Sequence, residues 1–128
     1  MGVSYEKIDL KNTREVIHPG HPAVIDTALL ADKTKLYKAG TIMTLDDEGE
    51  GLVPADPEDA DIPVAVLAQD SDGKNAEVLV CWHGTVVFSR LLDASGSGEP
   101  VAATLAFANK LRAAGIYPLQ LFANAKKG

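Results

Sequence analysis

Three histidines, His18, His21 and His83, are the side chains best suited to hold a metal. Three imidazoles with an open fourth position form a donor set that a catalytic zinc uses. His18 and His21 stand three apart, but inside the run His18-Pro19-Gly20-His21-Pro22. Proline biases the residue before it towards extended chain, so no helix turn brings the two rings onto one face. They read as surface or packing groups, and no metal or other cofactor is expected. Asp70-Ser71-Asp72-Gly73 has the opening of a calcium loop, but its glycine arrives before a third ligand and Glu77 falls in a strand. That segment reads as a turn, and Lys74 as its solvated lysine. Ser95-Gly96-Ser97-Gly98 lacks the Gly-Lys-Ser/Thr of a phosphate cradle. Ser71 and Ser89 have no His–Asp partners near them in sequence. The single cysteine, Cys81, excludes an intrachain disulfide and a thiolate zinc site. It lies in Val78-Leu79-Val80-Cys81-Trp82 and reads as a small buried hydrophobe. Nothing in this inventory converges on catalysis, so the expectation is not an enzyme.

The elements that would position these residues divide into an arm and a body. Residues 1–35 have weak periodicity, scattered charge and the proline-punctuated run above, and read as an extended N-terminal arm. Val24 to Leu30 is a short strand or docking segment within it. From residue 36 short strands recur with turn chemistry between them, the pattern of a small β-barrel or sandwich. Leu36–Leu45 is the first and is stopped by Asp46-Asp47-Glu48-Gly49-Glu50-Gly51. Leu52-Val53 is the second, and Ile62–Gln69 the third, with Pro63 at its entrance. Asp70–Asn75 is a hairpin turn around Asp72-Gly73. Ala76–Trp82 and Thr85–Leu91 follow, with Gly84 as a bulge or bend. One helix is expected, entered through Ser97-Gly98-Glu99-Pro100. Its apolar stripe is Val101, Leu105, Ala108 and Leu111, and Gly115 is its left-handed stop. Ile116–Leu121 returns as extended chain. The fold class is therefore mainly β with one or two short helices (α+β): arm 1–35 and β-rich domain 36–128.

Composition narrows the function further. Residues 46–73 carry ten carboxylates and no Lys or Arg, within a net charge of −6. Nucleic-acid binding needs a basic face to displace phosphate counterions, so direct nucleic-acid contact is not expected. Aromatic residues make up 5% of the chain. The core must therefore rest on aliphatic side chains, and self-association would help it. No run reaches the length of a membrane span, and no apolar h-region follows Met1-Gly2-Val3-Ser4-Tyr5-Glu6-Lys7. The chain reads as a soluble product of a reducing cytoplasm, or of something assembled there.

The order of elements after the arm resembles the lambda-type bacteriophage head decoration proteins. The matching pieces are Gly40-Thr41-Ile42-Met43-Thr44-Leu45-Asp46, Leu52-Val53-Pro54-Ala55 and Pro63-Val64-Ala65-Val66-Leu67-Ala68. They continue through an Asp-rich turn to Glu77–Trp82, Gly84-Thr85-Val86-Val87-Phe88, Leu91-Leu92 and a helix ending at Gly115-Ile116-Tyr117. The likeness spans residues 36–121 and rests on order and spacing. It implies a homotrimer on the outer surface of an expanded virion shell, made in the host cytoplasm. Such a trimer stabilises the capsid against internal DNA pressure, with the major capsid protein as partner and no covalent chemistry. It also implies an N-terminal arm that engages the shell, here carried by Tyr5, Ile8, Leu10, Val16, Ile17, His18, Pro19, His21 and Pro22. An extended arm would do so by adding a strand to an exposed sheet edge. Two other classes remain as alternatives. One is a small metal-dependent enzyme using His18, His21 and His83; the other is a generic β-barrel binding module.

Overall fold

Eleven consecutive residues, Glu77–Val87, form the strand β6 along which the fold is organised. Val78, Leu79, Val80, Cys81, Val86 and Val87 are all buried. A strand buried on both faces reads as a continuous apolar run, because each face must meet its own core. That is what β6 does. Leu79 and Cys81 pack with Val16, Phe107, Ala108, Leu111 and Ile116 on one face. Val78 and Val80 pack with Leu30, Met43, Leu52 and Leu67 on the other. The same period of two divides its neighbours: Val66 and Ile42 face the first core, and Ala65, Leu67 and Met43 the second.

The computed structural model describes residues 16–18, 23–95 and 100–120. Its remaining strands are β1 (Ile17–His18), β2 (Val24–Leu29), β3 (Ile42–Leu45), β4 (Leu52–Pro54), β5 (Ala65–Leu67), β7 (Leu92–Asp93), β8 (Val101–Ala102) and β9 (Ile116–Leu119). The main sheet runs β1-β6-β5-β3-β4, with β2 and β9 also on β6. Thr85 and Val86 pair with both β1 and β9, so those two lie on opposite edges of β6. Val80 and Cys81 likewise pair with both β2 and β5. β1 and β2 therefore follow one another antiparallel along one edge, while β5 and the parallel strand β9 share the other. A separate ladder joins β7 to β8.

The mainly β architecture with a short helix matches the sequence reading, and several details differ from it. The sheet curls but does not close into a barrel: β4 meets the end of β2 only at the isolated Leu30–Leu52 bridge. Gly51 permits that approach, since a Cβ there would stand 2.8 Å from the Ala31 backbone. The two strands expected on either side of Gly84 are one. Gly84 takes φ +134°, open to glycine at little cost, and a Cβ there would press on Ala23 at 2.9 Å, so the strand passes through it without ending. Leu36–Gly40 is not part of a strand; it is fastened to the 70–72 loop instead.

The helix is shorter and starts later than its apolar stripe suggests. α1 covers Leu105–Ala108 and continues as a 3-10 turn over Asn109–Ala114. Its cap is Thr104, whose Oγ1 accepts from the Phe107 N–H at 3.2 Å. The expected entry residues Ser97, Gly98 and Glu99 lie outside the described residues, and Val101 is in β8 opposite Asp93. β-Branched Val101 suits a strand better than a first helical turn. Gly115 ends the segment as expected, left-handed at φ +89°, with its N–H bonded to Arg112 and Leu111 carbonyls.

Candidate functional site

Of the residues assigned to a shell-binding arm, Tyr5, Ile8, Leu10, Pro19, His21 and Pro22 lie outside the described residues. The other three belong to the body. Val16 and Ile17 are 2% and 7% exposed within the first core. Ile17 pairs with Val86 and His18 with Thr85. Val24–Leu29, expected within the arm, pairs along β6 from His83 to Glu77. The expected boundary at residue 35 thus falls at no break in packing: Val16, Ile17 and Leu30, which precede it, are buried in the two cores. His83 is exposed on β6, with Gly115 against its ring, where a Cβ would meet Nδ1 at 3.0 Å. Among the described residues no group of three His, Cys, Asp or Glu side chains could hold a metal ion.

The turn expected at 70–75 is present, and its polar groups serve the backbone. Asp72 Oδ1 accepts from the Lys74 and Asn75 N–H groups at 2.8 and 2.9 Å, and Oδ2 accepts from Asn75 Nδ2 at 2.8 Å. The Asn75 and Lys74 amides hold its carboxyl below the usual aspartate range. Ser71 Oγ accepts from Tyr37 N–H at 2.7 Å and donates to Lys35 O at 3.1 Å. Asp70 Oδ1 accepts from Ala39 N–H at 2.8 Å. Cys81 is fully buried, and burial pushes its thiol up to about 11, so the nucleophilic thiolate is suppressed at neutral pH.

The surface feature with the richest chemistry lies beside β2, where sequence reading placed no site residue. A cleft of about 670 Å³ is lined by Thr27 and Leu29 of β2, Gln69 and the 70–72 loop, and Glu77, Val78 and Leu79 of β6. Its rim carries Asp70, Asp72 and Glu77, and Leu29 is 52% exposed. Alternation along an antiparallel ladder fixes which β2 groups are spent. The Leu30 N–H bonds Ala76 O at 2.8 Å. Counting back in register, Ala28 and Asp26 face Val78 and Val80 in hydrogen-bonding positions, so the amides of Ile25, Thr27 and Leu29 point away from β6. Leu79 agrees, since its N–H turns to Gln69 Oε1 at 3.1 Å, away from β2. One outward group is already taken: Thr27 N–H donates to Asp26 Oδ1 at 2.7 Å. The signal for this in sequence is the lone charge in Val24-Ile25-Asp26-Thr27-Ala28-Leu29, since a carboxylate in an apolar strand marks an edge.

Neither a protein-family model nor a curated protein sequence matches this chain. Among the described residues no helix is long and apolar enough to cross a membrane.

Proposed function

We propose that this protein is a structural component of a phage head. On this reading it binds the expanded capsid shell from outside as a homotrimer and braces it against the pressure of packaged DNA. The supporting likeness is the order of elements over residues 36–121. The observation that carries the reading is apolar surface left outside the two cores. Leu36 and Ile62 are 72% and 73% exposed, and Leu45, Val101, Leu105 and Tyr117 are also exposed. The chain at Ile62 is held beside β3, where Thr44 Oγ1 donates to Ile62 O at 2.7 Å. Large apolar groups left out of a core gain by association, at about 25 cal/mol per Å² buried. The attachment points of the two termini also suit a protein that docks at one end. Ile17 lies opposite Val86 and Leu119 opposite Val87, so the chain preceding Val16 and the chain following Gln120 both join the body at the same end of β6.

Three linked arms hold a shell far better than one, since tethered sites raise avidity by about 10²–10⁴. A trimer that binds only the assembled shell stabilises it by mass action. The test is to delete residues 2–15, which leaves Val16 and Ile17 in the core. The variant should sediment as a folded trimer and fail to decorate expanded shells in co-sedimentation. Undiminished shell binding removes the arm's role, and a monomeric full-length protein removes the trimer.

A further inference from the structure

We infer that the outer edge of β2 accepts an extended strand from a partner protein, and that Asp26 selects a basic segment. Here the body receives a strand, so the inference goes beyond the arm and does not rest on the capsid reading. Among the described residues β2 is laddered only to β6, and the backbone groups of Ile25, Thr27 and Leu29 point outward; β4 meets that edge just beyond, where the Ala31 N–H donates to Leu52 O at 3.0 Å, so the free stretch runs from Ile25 to Leu29. Such an edge is a template for main-chain pairing. It is not an open one. The Asp26 carboxylate occupies the central donor, Thr27 N–H, at 2.7 Å. An incoming carbonyl must displace that carboxylate, which is exposed and then gains most from a cationic partner. A lysine or arginine on the incoming strand supplies it; an acidic or neutral strand does not.

The exposed side chains along the edge suit an alternating strand. A strand laid on β2 directs every second side chain to the side on which Thr27 and Leu29 lie. There it meets Leu29, 52% exposed, while the side chains between turn to the face that carries Asp26. Apolar side chains on the first face and basic ones on the second match Leu29 and Asp26 in turn. A second copy of β2 fits poorly, because antiparallel pairing about Thr27 sets one Asp26 carboxylate near the other.

The probe is an eight-residue peptide of alternating lysine and valine, blocked at both ends and titrated into the full-length protein while backbone amides are followed by NMR. The amides of Ile25, Thr27 and Leu29 should shift. Affinity should fall at least tenfold for the matching glutamate–valine peptide. It should also fall at least tenfold when alternate peptide nitrogens are methylated, which leaves charge intact and blocks strand pairing. Asp26→Asn should bring the two charge variants within about twofold of each other. Thr27→Pro should abolish binding, since the nitrogen it removes is not in the β6 ladder. If that variant fails to fold, the methylated peptide still decides. No binding, shifts that map elsewhere, or equal binding of the methylated or acidic peptide would overturn the inference. So would binding that appears only once residues 2–15 are deleted, or concentration-dependent pairing of the protein through β2. The first would assign the edge to the chain's own leader, the second to another copy.

Discussion

Cys81 shows how one residue's chemistry is set by its surroundings. Its side chain is fully buried, and Sγ donates to the His83 carbonyl at 3.1 Å. Desolvation of the thiolate outweighs the opposing effect of the His83 backbone, and the thiol sits near 11. Alkylation by iodoacetamide at pH 8 should therefore be slow in the folded protein and complete in concentrated guanidinium. Equal rates in both conditions would show an accessible thiol. Asp72 makes the opposite case at the surface. Its carboxyl is held low by the Asn75 and Lys74 amides. A carboxyl lowered by folding adds stability that is fully present above its unfolded value, and that stability is lost as pH falls through the folded value. Asp72→Ala should thus lower the melting temperature at neutral pH, and the gap from the unaltered protein should close as pH is taken below the ordinary aspartate value of 3.8. A gap that stays constant into acid would assign Asp72 a role independent of its charge.

At the scale of elements, the helical segment carries a disproportionate share of the first core. Phe107 is 3% exposed, and Leu111 and Ala108 are fully buried beside it. Truncating a buried phenylalanine costs about 3–5 kcal/mol. Loss of a Thr cap costs about 1 kcal/mol. Urea unfolding should therefore rank Phe107→Ala well below Thr104→Ala, and a smaller loss for Phe107→Ala than for the cap would contradict this packing. The sequence announces the end of this element and obscures its beginning. Gly115 stops it because a left-handed residue is needed there, a requirement local to the chain. Ser97–Pro100 also suit a helix entry, so the local pattern offers a start there. The choice of Thr104 depends on β8 pairing with β7, and no local pattern contains that. β6 teaches the same lesson. Its apolar run is plain, but Gly84 reads equally as a break or a bulge until Ala23 is known to lie against it. The site beside β2 was missed for a related reason: Asp26 looks like any scattered charge until the ladder shows which amides face outward.

At the scale of the whole molecule, the question is where the leader stops and the body begins. The sequence pattern puts that border at residue 35, because the segment before it has weak periodicity, scattered charge and proline punctuation. Packing puts residues 16–18 and 23–30 along one edge of β6. The two borders predict different truncation series. On the packing border, deleting residues 2–15 keeps Val16 and Ile17 in the first core and should leave cooperativity and stability nearly unchanged. Deleting residues 2–22 removes Val16 and Ile17, each worth about 1.5–3 kcal/mol of burial, for a loss of about 3–6 kcal/mol. Against a typical domain stability of about 5–15 kcal/mol, that leaves the longer truncation marginal. Urea midpoints with an unchanged slope would separate the variants cleanly. If the 2–22 deletion matched the shorter one, β1 would add nothing to the fold and the leader would extend at least to residue 22. If both collapsed, part of the core would lie before Val16, and a freely released arm would no longer be available to grip a shell.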